Sequence, residues 1–92
     1  MKSTVNVTAD DIKYGKPKDG YACPIHRSLA RHKAFKSLYS LCVGRYGVTA
    51  NNNLVADLPH EARLFTKQFD GLYGESHKRF ARPFTFELEV YL

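Results

Sequence analysis

The run Pro83-Phe84-Thr85-Phe86-Glu87-Leu88-Glu89-Val90-Tyr91 alternates apolar and polar residues without a break, and it constrains the fold more than any other segment. Successive side chains of an extended strand point to opposite faces, so Phe84, Phe86, Leu88 and Val90 share an inward face while Thr85, Glu87, Glu89 and Tyr91 meet water. A strand with one wet face belongs to an antiparallel sheet, and its apolar face needs a second layer. Residues 3–7, with Val5 and Val7 against Thr4 and Asn6, read as a first short strand. Residues 38–50 read as further strand, Tyr39, Leu41 and Val43 on one parity and Ser40 and Cys42 on the other. Gly44-Arg45-Tyr46-Gly47 interrupts that stretch with a turn or bulge, and a second strand resumes near Val48. Asn51-Asn52-Asn53 tolerates left-handed backbone and turns the chain into Leu54-Val55-Ala56.

Three segments carry helical signals. Thr8 followed by Asp10 and Asp11 offers acceptors to free backbone donors, which predicts a helical turn over residues 9–14 that Gly15 ends. Pro24 suits the first position of a helix. Beyond it Ile25, Leu29 and His32 recur on one stripe with Ser28 beside them, predicting a helix that runs to about Phe35 or Lys36. Asp57-Leu58-Pro59-His60-Glu61 opens the clearest helix, because Leu58, Ala62, Phe65 and Phe69 follow at helical spacing and Gly71 supplies a stop. Residues 72–82 show no period and read as a basic loop. With six Phe and six Tyr in 92 residues, there is apolar material for one core and no room for a second. The expected architecture is α+β: a single antiparallel β-sheet with two α-helices packed on one face, in one domain over residues 1–92.

Charge is distributed unevenly. Residues 13–45 hold Lys13, Lys16, Lys18, Arg27, Arg31, Lys33, Lys36 and Arg45 against Asp19 alone, a surplus of seven, whereas the whole chain carries a net +5. Arg27 and Arg31 fall on the polar side of the helix opened by Pro24, with no acid one turn away to neutralise them. These eight cations are the candidate partner-binding residues, and their surplus points to an anionic partner. Tyr14, Tyr21, Tyr39 and Tyr46 lie within or beside the same third, where rings can stack on bases or sink into the core.

Catalysis and metal binding fit less well. Cys23 before a helix, with His26 three residues on, is the arrangement of an activated thiol, but no oxyanion glycine motif or orienting acid accompanies it. Cys23, His26, His32 and Cys42 lack the paired spacing of a zinc knuckle, and His32 falls on the apolar stripe, so it reads as a satisfied, partly buried histidine. His60 and His77 are isolated, and Glu87 and Glu89 share the wet face of a strand. No nucleotide-binding or metalloprotease motif occurs. The chain is therefore expected to be no enzyme, to use no cofactor and to take no small-molecule substrate. Its short apolar runs and its polar first residues predict neither membrane span nor export, and Cys23 and Cys42 are expected to be free thiols.

The Val5-Asn6-Val7-Thr8 start, the Cys23-Pro24-Ile25 helix opening, the Leu58-Pro59 helix ending in Phe69-Asp70 and the Pro83-Phe84-Thr85-Phe86 strand together resemble the layout of small phage-encoded proteins. In size, basic charge and α+β pattern the chain also resembles anti-CRISPR inhibitors of the type I-F surveillance complex. That resemblance implies a non-enzymatic inhibitor in the cytoplasm of a host bacterium. Its partner would be the assembly of Cas protein and guide RNA, and its effect would be to keep target DNA from hybridising. The alternative is a phage host-takeover protein that binds DNA or RNA directly. Under the first reading, reversing the charge of Arg27 and Arg31 is expected to weaken docking and leave the fold intact.

Overall fold

The computed structural model describes residues 2–16, 19–70 and 81–91. Strand β1 (Lys2–Val7) leads into helix α1 (Ala9–Tyr14) and helix α2 (Pro24–Ala30), followed by strands β2 (Cys42–Val43), β3 (Gly47–Ala50) and β4 (Asn53–Asp57), helix α3 (His60–Asp70) and strand β5 (Phe84–Glu89). The fold is α+β, as the alternation and the helical stripes imply. It differs in detail from one sheet with two helices, since the described residues form two sheets and three helices.

β5 pairs antiparallel with β1, setting Val5 opposite Phe86 and Thr4 opposite Glu87. Its burial follows the alternation, with Phe86, Leu88 and Val90 buried and Thr85, Glu87, Glu89 and Tyr91 exposed. The second sheet has the order β2-β3-β4, all antiparallel. One bridge between Ala56 and Val90, and a 2.7 Å hydrogen bond from the Tyr91 N–H to the Val55 carbonyl, join the chain just past β5 to β4. A single expected sheet thus becomes two, hinged at the end of β5. In the β3–β4 hairpin both central residues have positive φ, 51° at Asn51 and 66° at Asn52, the backbone that Asn tolerates and a two-residue hairpin loop requires. Val55 is the extra residue of a bulge, which lets Val55 and Ala56 both turn inward.

One cluster gathers Val5, Val7, Phe86 and Leu88 with Ile25 and Leu29 of α2, Ala62 and Phe69 of α3, and Val48 and Ala56 of the second sheet. Phe65 of α3 packs on Phe84 of β5 with ring centroids 4.7 Å apart, and Phe84 stacks in turn on Phe86. Two predicted boundaries move. The first helix after Pro24 ends at Ala30 rather than near Phe35, because the His32 Nδ1 accepts the Ala34 N–H at 3.0 Å and takes that donor from the helical ladder. The strand expected from Leu38 begins only at Cys42, because Ser40 sits at φ 52° and turns Tyr39 outward. Gly71 and residues 72–80 of the expected loop lie outside the described residues.

Candidate cationic and aromatic surface

α1 and α2 lie side by side in opposite directions, and this places much of the basic third. Thr8 caps α1 by accepting the Asp11 N–H at 3.2 Å, while the Asp11 carboxylate accepts the Thr8 N–H at 2.9 Å, a reciprocal capping box. At the other end Gly15 abuts Pro24 so closely that a Cβ would lie 2.7 Å from the Pro24 ring, which docks the end of α1 on the start of α2. Asp11 is fully buried and looks along this interface towards the far end of α2. There it meets the Arg31 guanidinium in a bidentate pair, one limb through Nη1 to Oδ1 and the other 2.6 Å from Nη2 to Oδ2. Arg27 Nε lies 3.6 Å from the same Oδ1, an ion pair too long for a hydrogen bond. Burial pushes the Asp11 carboxyl up, but the hydrogen bonds from Arg31 and Thr8 outweigh it and hold the pKa below the ordinary aspartate value.

This corrects the sequence reading at its most emphatic point. The polar face of α2 is not unneutralised, because Asp11, on the preceding helix, answers both of its arginines. Arg31 also donates to the carbonyls of Arg27 and Asn6, and His32 Nε2 reaches the Thr4 carbonyl at 3.0 Å. Because Nδ1 of His32 accepts from Ala34, Nε2 carries the proton and donates to Thr4. Arg31 and His32 thereby close the edge of β1 that does not face β5. The expectation that reversing Arg27 and Arg31 leaves the fold intact loses its ground.

The remaining candidate cations stand differently. Lys13 and Arg27 converge on Tyr14, with Nζ 5.2 Å and Cζ 5.5 Å from the ring centroid. Lys16 is exposed at the end of α1, its N–H bonded to the Ala22 carbonyl. Lys33 and Lys36 are exposed in the turns after α2, and Arg45 in the turn between β2 and β3; among the described residues none of the three pairs with a carboxylate. Lys18 lies outside the described residues. The four tyrosines of the basic third are all on the surface, Tyr14 at 56%, Tyr21 and Tyr46 at 64% and Tyr39 at 84% exposure. The composition alone left open whether these rings stack outward or pack inward, and all four face outward.

The groups weighed for chemistry are occupied structurally. The Cys23 sulfur accepts the His26 N–H at 3.4 Å as the cap of α2. Burial holds the pKa of the His26 ring below the ordinary histidine value despite the opposing pull of the Leu41 backbone and Asp19. His32 has both nitrogens engaged, and no disulfide joins Cys23 to Cys42. Among the described residues no three His, Cys, Asp or Glu side chains gather as a metal-binding group, and no helix is long and apolar enough to cross a membrane.

Fold and surface together define a small α+β domain with an internally tied arginine pair and a separate set of exposed lysines and tyrosines. No family model, no curated protein and no solved structure matches the chain.

Proposed function

We propose that the protein is a non-enzymatic, stoichiometric phage inhibitor that docks on a type I-F-like CRISPR–Cas surveillance ribonucleoprotein and keeps target DNA from hybridising. The observation that carries this reading is the exposure of Tyr14, Tyr21, Tyr39 and Tyr46 among the cations Lys13, Lys16, Lys33, Lys36 and Arg45. Tyrosine supplies large contact area at little entropic cost and is enriched at the cores of interfaces, while lysines that face water without a carboxylate draw in a polyanion. A surface of both kinds fits an assembly that presents protein and RNA together.

The resemblance in layout supplies the identity of the assembly, and the surface supplies the means of docking. Arg27 and Arg31 contribute less than their charge suggests, since Asp11 neutralises part of it. The test is therefore made on Lys13, Lys33 and Lys36, each reversed to Glu in one variant, in bacteria carrying a type I-F system. Wild-type protein is expected to restore plaque formation and to co-purify with the surveillance complex, and the triple variant to do neither while remaining folded. Unchanged protection by the variant, or a wild-type protein that never co-purifies with the complex, removes the assignment. Direct binding of nucleic acid is the second reading, favoured by the outward tyrosines, and a gel shift with naked DNA or RNA from a protein that never co-purifies with the surveillance complex is the outcome that reading alone predicts.

A further inference from the structure

The stretch after α2 is built as a ridge. Hydrogen bonds run from the His32 N–H to the Leu29 carbonyl, from Phe35 to His32 and from Leu38 to Phe35, at 2.9–3.0 Å. Each spans three residues, while the Lys36 N–H also reaches the His32 carbonyl at 2.9 Å across four, so the stretch mixes turns of three and four residues and residues three apart fall near one another on the same side. Burial follows that spacing. Leu29 and Phe35 are buried and His32 and Leu38 half-buried, whereas Ala30, Lys33, Lys36 and Tyr39 are exposed. The inner row is anchored, Phe35 by an edge-on contact with His32 and Leu38 against the core. The outer row ends in Tyr39, the most exposed of the large hydrophobic side chains among the described residues. Its ring is held out by its neighbours: Leu41 is buried, Ser40 adopts a left-handed φ of 52° between them, and the Tyr39 carbonyl accepts the Asn51 N–H at 2.9 Å from the β3–β4 hairpin. A serine in that conformation is disfavoured unless the surrounding structure enforces it.

We infer that Lys33, Lys36 and Tyr39 form a contact ridge for single-stranded nucleic acid, the lysines on successive phosphates and the Tyr39 ring stacked on a base. The inference deepens the proposed function by naming the strand as what this part of the surface touches. Two lysines with no carboxylate among the described residues complement a polyanion, and an uncovered ring offers the face that base stacking needs. A duplex keeps its bases stacked on each other, so a lone projecting ring selects the single strand.

The probe is a short fluorescein-labelled oligo-uridylate, followed by anisotropy at low salt. Tyr39→Ala is expected to weaken binding roughly tenfold, within the range of one lost base stack, and Tyr39→Phe to preserve it. Lys33→Ala with Lys36→Ala is expected to flatten the slope of log K against log salt by about 1.4, two phosphates at ~0.7 each. The exposed ring makes Tyr39→Ala neutral to the thermal midpoint, which separates lost binding from lost fold. Equal oligonucleotide affinity of wild type and Tyr39→Ala overturns the inference, and so does a wild type that does not bind the oligonucleotide while Tyr39→Ala abolishes inhibition, since the ring then enters a protein pocket. Binding through Tyr39 by a protein that does not inhibit the surveillance complex leaves this inference standing and removes the function proposed above.

Discussion

At the scale of single residues, Asp11 decides what the basic third is. Two of its nearest cations, Arg27 and Arg31, are spent on holding α1 against α2, and a side chain in the first turn of a six-residue helix does this only because it is buried at the junction. Removing Arg31 strands a buried carboxylate with the Thr8 N–H and a distant Arg27, so Arg31→Ala is expected to cost about 2–3 kcal/mol in chemical denaturation at neutral pH. Arg31→Lys recovers only part, because an ammonium cannot span both carboxylate oxygens. The pH dependence follows from the sign of the shift at Asp11. Its pKa is lowered in the folded state, so the folded protein binds that proton less readily than the unfolded chain. The stabilisation is complete above the ordinary aspartate value and is lost as pH falls through that value towards the folded one. Denaturation of wild type and Asp11→Asn across that range is expected to show a gap at neutral pH that closes in acid. A gap that persists unchanged in acid would mean that the Asp11 charge is not what holds the helices together. The Thr-x-x-Asp capping signal was readable in the sequence, but its second use was not, since the arginines that share Asp11 lie on another helix.

At the scale of elements, the difference between what could be read and what could not lies in the range of the forces. β5 is legible because every residue from Phe84 to Tyr91 obeys one period, and α3 because Leu58, Ala62, Phe65 and Phe69 recur at another; Leu58, Ala62 and Phe69 are buried and Phe65 is half-buried against the core. The end of α2 and the start of β2 are illegible by period, because single side chains override it: His32 reaches β1, and Ser40 takes a left-handed backbone that its residue type disfavours. The β3–β4 hairpin falls between, as its three asparagines announce a turn but not the bulge at Val55 that re-aims β4. This hairpin yields a paired prediction. Asn52 at φ 66° holds a conformation that glycine adopts freely, so Asn52→Gly is expected to stabilise by up to about 1 kcal/mol. Gly47→Ala has the opposite sign, because its Cβ would lie 2.9 Å from the Ala56 carbonyl oxygen and 2.8 Å from the Leu54 side chain. Thermal midpoints of the two variants moving in the same direction would contradict the register of β3 against β4.

At the scale of the whole molecule, the surplus of positive charge divides into two populations that the linear sequence does not distinguish. Arg27 and Arg31 belong to the fold, tied to Asp11 and, for Arg31, to the carbonyl of Asn6 on β1. Lys13, Lys33 and Lys36 belong to the surface, and among the described residues no carboxylate pairs with them. Counting charges along the chain gives the surplus, but folding brings in an acid from outside the counted segment and withdraws part of it. The division is testable without knowing any partner. Changing exposed residues away from special contacts shifts stability by no more than ~0.5 kcal/mol each. Lys13 adds only one exposed contact with the Tyr14 ring, worth about 0.5–1 kcal/mol, so a Lys13→Glu, Lys33→Glu, Lys36→Glu variant is expected to keep a cooperative melt a little below the wild-type temperature. The same variant changes the net charge by six units, from +5 to −1, and is expected to leave a heparin column at much lower salt. An Arg27→Glu, Arg31→Glu variant changes the charge by four units but drives two carboxylates against the buried Asp11, so it is expected to lose its cooperative melting transition. If the arginine variant melts like wild type and differs only on heparin, those arginines are surface residues after all, and the partition between holding the fold and meeting a partner fails.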